Sequence, residues 1–561
     1  MAMAAIKTVK SKEQRQREDE KRLAKAKRGA LPGPELDGVL AASLKTPKTE
    51  KDVANSPQEK HWRAAEEVEF FGNMITKGVL ERVQGGLPDG KKAFPGKFVY
   101  KIKENADGTI WKFKARFVGL GYRQRPGVDY DVWGTYAPVT TMSCLKKVIA
   151  RAAHTDMHLF QFDIEGAFLL PKIDKEIYVS YKGVTYKLHR TLYGLKQSAH
   201  AWNKELDAHL KSLGFKQSKG DPCLYTRKTE AGFIAVVTWV DDVIGAASSE
   251  QLYRDFRNSV ASKFPLSAEG KFEYALKVRV RRKDGMIYMD QRTYIEGLAT
   301  RFNAEETNPK YTPMDEGMAK MLSKEQMPDV GTDEHKQMQR TPYRELLGCL
   351  SYAQCIRPDI SFAVNKLARF AQNPGKMHWK ALKRILVYLY TTREKCLVFG
   401  RDKSNTTLSV MVDADHGGDK STARSTTGIV VKAFGDAVYT KSKRQGKVNN
   451  STGAAEFDAI ASAVRKIDNF RIVMQDLGFH QQTVVVETDS KVAHGMLKSG
   501  RLTTATKHLA LDFYAVSEQM DDDRVDLRHV PGDDNTADIF TKALCRVTFE
   551  KHREGLGILS P

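Results

Sequence analysis

At 561 residues the chain exceeds what one hydrophobic core organises, so about two to four domains are expected. Its 90 Lys and Arg against 69 Asp and Glu leave +21 at neutral pH, which points to polyanionic partners, nucleic acid ahead of a membrane surface. No run approaches the ~18 apolar residues of a spanning helix, the N-terminus has no apolar secretory stretch, and no two cysteines form a C-x-x-C pair. Membrane insertion, secretion, zinc binding and a disulfide framework are therefore all disfavoured, and a reducing compartment is expected.

Taken in order, residues 1–85 read as a basic, largely disordered segment with a helix over 11–28, broken by Pro32, Pro34, Pro47 and Pro57. KFVYKIKENADGTIWKFKARFVGLGY then alternates apolar and basic residues about Asn105-Ala106-Asp107-Gly108, a hairpin signal. Its outward side carries Lys101, Lys103, Lys112, Lys114 and Arg116. A solvated face is the plain reading, but charges of one sign favour a surface that meets phosphates. SCLKKVIARAAHTDM reads as a helix, HLFQFDIEGAFLL as a strand entering a turn, and YGLKQSAHAWNKELDAHLKSLGF as a helix ending at Gly214.

FIAVVTWVDDVIGAAS predicts two buried strands joined by a tight turn holding Asp241 and Asp242. Asp is an ordinary turn residue, yet carboxylates held at such a tip also coordinate hard cations. Residues 345–392 read as helical, with breaks near Arg357-Pro358 and Asn373-Pro374. Beyond Gly400 the pattern predicts strands at 407–413, 428–432 and 436–440, a helix at 451–476 and a strand at 483–488. Helices near 490–498 and 506–519, a strand at 524–530 and a helix at 534–544 complete it.

Asp163 closes the strand HLFQFD, 78 residues before Asp241, so a shared site requires tertiary assembly. Two-metal nucleotidyl transfer needs carboxylates from separate strands in this way. The residues around them bear a resemblance. KFKARFVGLGYRQRPGVDYDVWGTYAPVT, QFDIEGAFL, YKLHRTLYGLKQSAHAWN, GFKQSKGDPCLY, TWVDD and YRELLGCLSYAQCIRPDISFAVNKLARFAQNP occur in the order of the reverse transcriptase–RNase H region of copia-type LTR-retrotransposon polyproteins. The chain resembles that region over roughly residues 90–545.

The resemblance implies an α+β, multidomain, right-hand polymerase with fingers, palm and thumb, then a connection segment and an RNase H-like α/β domain. It implies a polymerase region at 90–310, a linker and mainly helical connection at 311–405, an RNase H-like domain at 406–545 and a C-terminal tail at 546–561. Asp163, Asp241 and Asp242 become the palm carboxylates, with Asp163 and Asp241 the main metal ligands. Phe168 becomes the residue closing over the sugar, Lys114 and Arg116 contacts of the triphosphate, and Tyr193, Gly194 and Gln197 neighbours of the templating pair. The family pattern is departed from at Trp239, Ala199-His200, His416 and Gly453, none of them an implied ligand.

Four further acids, Asp413, Glu456, Asp489 and Asp538, fall on a strand, an early helix, a strand end and a late helix. That order resembles RNase H, where they bind two Mg²⁺, or Mn²⁺ in its place, and activate water against RNA in a hybrid. Asp415, Asp458 and His508 are read as neighbours, and His529 as a candidate in product release. The expected function is RNA- and DNA-templated DNA synthesis with RNase H cleavage. The expected partners are an RNA template, DNA primer–template, RNA–DNA hybrid and dNTPs, with no membrane. Localisation is expected in the cytoplasm, in virus-like particles or in the nucleus. The alternative is a decayed or host-adopted fragment that binds nucleic acid without catalysis, and the absence of nucleocapsid, protease and integrase motifs suits a piece of a longer polyprotein.

Overall fold

Val, Ile and Ala fill the strands Gly232–Trp239 and Asp242–Ala247, a composition suited to strands covered on both faces. In the computed structural model, which describes residues 12–105, 108–271, 274–275, 277–500 and 509–561, these two strands form a hairpin at the centre of a six-stranded sheet. The order is Leu266–Lys271, His158–Ile164, Asp242–Ala247, Gly232–Trp239, Leu224–Thr229 and Lys216–Gln217. His158–Ile164 runs antiparallel to Asp242–Ala247. Phe160 and Phe162 turn toward helix Glu250–Ala261, stacking near Tyr253 and Phe256. Gly245 lies opposite Phe160, and a Cβ there would meet the ring at 2.5 Å. The other face packs Ala235, Val237, Ile244 and Ala246 into one core with helix Met142–His154. This is the sheet expected as the palm.

The chain divides into two compact units, residues 1–138 with 164–213, and residues 139–163 with 214–561. The first carries the sheet Leu80–Arg82, Val184–Leu188, Tyr178–Tyr181, Ala93–Glu104 and Ile110–Gly119. Its last two strands are the expected basic hairpin, and residues 106–107 of the turn lie outside the described residues. Residues 12–85 depart from the expected disorder. Helix Lys12–Gly29 and helix Glu59–Glu67 pack together, and Trp62, fully buried, sets its edge against Tyr100 and Phe113. Ala30, Leu36 and Val53 join the same core. These apolar residues are too sparse to form a core alone, but the hairpin supplies the apolar face they need.

The second unit also contains a five-stranded sheet in the order Asp436–Arg444, Arg424–Ala433, Leu408–Asp419, Val484–Thr488, Val525–His529. The first three are antiparallel and the last two join in parallel, with helix Thr452–Asp476 packed on the sheet. That is the RNase H-like order. The expected helix at 534–544 is instead two 3₁₀ turns, Gly532–Asp534 and Thr536–Phe540, separated where the Asn535 carboxamide accepts from the Ala537 N–H.

The expected tail at 546–561 is structured. Arg546–Gly555 is helical, Ile558–Leu559 pairs with Cys396–Leu397, and Cys396–Phe399 pairs in turn with Met286–Asp290. The segment expected as linker thus shares a sheet with the region before it and with the C-terminal tail. Within it the Arg-Pro-Asp-Ile element forms a buried clamp. Arg357 donates to Asp359 at 2.7 Å, the Thr392 carbonyl at 3.0 Å and the Thr392 hydroxyl at 2.8 Å. Among the described residues no helix is long and apolar enough to cross a membrane.

Candidate active sites

The RNase H-like sheet brings its acids together through parallel register. Val412 pairs with Thr488, so Asp413, midway along its strand, lies beside Asp489 just past the end of the next. Asp538 comes from the 3₁₀ turn Thr536–Phe540. One carboxylate oxygen from each of Asp413, Asp489 and Asp538 lies within 4.8 Å of the others, alone among the described residues in doing so. Glu456, in the opening turns of helix Thr452–Asp476, borders them and accepts from the Ala414 N–H.

Burial, then the charge of Asp538, raises the proton affinity of Asp413; burial, then Asp413 and Asp489, does so for Glu456; burial, then Asp538, for Asp489. Glu456 Oε2 and Asp538 Oδ1 are buried without a hydrogen-bond partner. Four crowded oxygen donors, two of them orphaned, fit a hard divalent cation. Sequence reasoning missed two supporting groups. The Thr541 hydroxyl donates to Asp413, and Lys542 pairs with Asp538 at 2.9 Å. Their spacing of three and four residues after Asp538 was the available signal. Asp415 turns away and accepts from the Thr426 N–H.

In the palm sheet the register sets Asp242 directly opposite Asp163. Side chains paired in this way project on one face with Cβ atoms about 4.5–5.5 Å apart. Asp241 sits in the two-residue turn with Val240, because Trp239 pairs with Asp242. The cross-strand partner of Asp163 is therefore Asp242, the aspartate expected to be secondary, rather than Asp241. All three are half-buried. Asp163 also accepts from the Ser267 hydroxyl at 2.7 Å, a contact to the neighbouring strand that no motif signalled.

A family model described as "Reverse transcriptase (RNA-dependent DNA polymerase)" matches residues 82–316. The Pol polyprotein of transposon TNT 1-94 from Nicotiana tabacum is 32% identical over 542 residues, covering 94% of this chain and 40% of the polyprotein. A protein of the Ty5-1 transposon of Saccharomyces cerevisiae is 30% identical over 317 residues, covering 54% of this chain and its own whole length. The chain belongs to the copia-type reverse transcriptase family. It spans 40% of the first-named polyprotein's length. A foamy viral protease-reverse transcriptase solved with an RNA/DNA hybrid aligns with 84% of this chain and 54% of its own at 12% identity, TM-score 0.46.

The residues expected to meet substrate lie in the first unit. Lys114 and Arg116 stand on strand Ile110–Gly119, where Lys101 faces Lys114 and Lys103 faces Lys112 across the hairpin. Burial first, then the charges of Arg116 and Lys103, pushes the Lys114 ammonium down to about 8. The Arg116 guanidinium lies 5.3 Å from the Tyr193 ring, which meets Phe168 edge-on at 6.0 Å. Arg116 Nε is buried and unpartnered. Arg116, Tyr193 and Phe168 are thus contiguous. Gln197 is engaged elsewhere, donating to the Asp129 carbonyl at 3.0 Å and accepting from Gln124 at 2.9 Å, which braces the loop after Gly119. His529 is exposed beside His494, and His508 lies outside the described residues.

Proposed function

We propose that the chain is a reverse transcriptase with an RNase H activity, each run at its own carboxylate centre. The observation that carries the polymerase reading is the register of Asp163 against Asp242 inside the family-matched segment. Two carboxylates facing each other across strands repel, and a shared cation turns that cost into binding. Asp163, Asp242 and Asp241 would hold Mg²⁺, which supplies charge stabilisation to the attacked phosphate and the departing pyrophosphate. Ser267 orients one oxygen of Asp163.

In the first unit, the Lys114 ammonium and Arg116 guanidinium are assigned to the triphosphate and Phe168 to the sugar. The ring of Tyr193 holds Arg116 and Phe168 in place. For the nuclease, Asp413, Glu456, Asp489 and Asp538 would hold Mg²⁺. Thr541 fixes the Asp413 carboxylate, and Lys542 offsets part of the charge of Asp538. The family-matched segment supports nucleic acid as the partner class. The +21 charge supports binding through the backbone with steep salt dependence.

Primer extension on an RNA template with dNTPs and Mg²⁺ tests the reading. Asp163→Asn and Asp242→Asn should each slow extension by ~100-fold or more, the loss of about 3 kcal/mol of metal-mediated stabilisation. A wild-type chain that binds hybrid but never extends a primer supports the fragment without catalysis instead.

A further inference from the structure

A cavity of about 450 Å³ in the second unit lies between the helical segments 316–323 and 361–370 and the hairpin bend 415–421 of the RNase H-like sheet. Its floor holds Lys366, only 8% exposed, with no hydrogen-bond or ion-pair partner among the described residues. Arg369 is beside it, sharing Asp419 at 3.5 Å and reaching Thr426 at 3.4 Å. Lys320, Lys420 and Lys542 also line the space.

The carboxylates on the wall offset this set only in part. Asp419 is taken by Arg444 at 2.6 Å, by Ser421 at 2.8 Å and by Thr422 at 2.8 Å. Asp415 is bonded to the Thr426 N–H, and Glu316 faces Lys320 across 3.8 Å at the rim. A largely buried cation with no hydrogen-bond partner is costly, and burial depresses the proton affinity of Lys366. An anion in the cavity removes that cost. Lys542 also touches Asp538, so an occupant lies alongside the carboxylate triad.

The geometry points to a phosphate-binding site in which Lys366 and Arg369 grip one phosphate group. That group is either a backbone phosphate of a strand lying at the triad or free phosphate. The backbone source rests on the nuclease reading above; the free-phosphate source does not. Neighbouring cations of this kind suit a tetrahedral oxyanion, with Arg369 offering a planar fork and Lys366 a point charge.

The test uses the full chain, with inorganic phosphate and a short RNA–DNA hybrid as probes in EDTA. Isothermal titration of wild type with inorganic phosphate, against chloride of equal ionic strength, should show binding that Lys366→Met weakens by about tenfold or more. Hybrid affinity measured over a salt series should show the logarithmic salt slope reduced by about 0.9 in the same variant, one phosphate contact. Lost phosphate binding with an unchanged slope assigns the site to free phosphate; loss of both assigns it to the backbone.

Lys366→Met that is folded, binds phosphate as wild type does and keeps the full slope overturns the site. Lys420→Gln, on the exposed rim, gives the same reading should Lys366→Met fail to fold, with about a threefold loss expected. Asp489→Asn should keep the phosphate response, which separates failure of this site from failure of the nuclease.

Discussion

Val240 occupies the first position of the two-residue turn between the palm strands, with φ of 62°. Such loops demand a positive φ there, which a β-branched side chain adopts only under strain of about 1–3 kcal/mol. Val240→Gly should therefore raise the urea midpoint by the equivalent of about 1 kcal/mol, after the entropy glycine adds to the unfolded chain. Primer extension should fall in the same variant, because Asp241 is then less firmly held. A lower midpoint would contradict the strain assignment.

The acids of the second centre make a pH prediction. Asp413 and Glu456 bind protons more tightly when folded than at their ordinary values of 3.8 and 4.5. A raised folded value contributes stability at low pH that is lost as pH rises through it. Without divalent cation the protein should lose stability from these groups above about pH 4.5, and Mg²⁺ should restore more at pH 8 than at pH 5.5. Melting scans with and without Mg²⁺ check this, and Asp413→Asn with Glu456→Gln should abolish the difference.

At the scale of elements, the basic hairpin sets lysine opposite lysine twice. Directly opposed like charges destabilise a sheet, a cost that an anion meeting the ladder would offset. Lys114, held down to about 8, loses its proton as pH climbs past that value. The dNTP KM should rise between about pH 7.5 and 9, and Lys114→Arg should flatten the rise, since guanidinium stays charged. This hairpin was legible in the sequence because alternation is a local signal, and so were the strands and the long helix of the RNase H-like domain.

Pairing between distant segments was not legible. Nothing local to TWVDD tells whether Asp241 or Asp242 meets Asp163, because the register is set between strands far apart in the chain. The buried role of Trp62 was hidden in the same way, its partners Tyr100 and Phe113 lying in another element. Phe549, Leu556 and Ile558 looked like a tail because the strand they complete, Cys396–Phe399, lies about 150 residues earlier.

At the scale of the molecule, the palm and the RNase H-like sheet of the second unit share one hydrophobic core. Helix Met142–His154 carries the junction. The Lys147 ammonium lies 4.2 Å from the Phe470 ring and donates to Ser143 at 3.1 Å. Burial pushes Lys147 down to about 8 from 10.5. Below about 8 the folded state bears the cost of a buried charge, roughly 3 kcal/mol, and stability rises with pH between about 8 and 10.5. Lys147→Met should raise the neutral-pH melting temperature and remove that rise.

A chain ending at residue 545 should be strongly destabilised, since Leu556 and Ile558 are fully buried and each such loss costs about 2–5 kcal/mol. Denaturant titration of the truncated protein measures this.

Two separate centres in one chain can be tested together. A labelled RNA annealed to a DNA primer, with dNTPs and Mg²⁺, reports both at once. Wild type should extend the primer and cut the RNA, Asp242→Asn should only cut, and Asp489→Asn should only extend. Loss of both activities in either single variant, or neither activity in a wild-type chain that binds the hybrid, would contradict two separate centres.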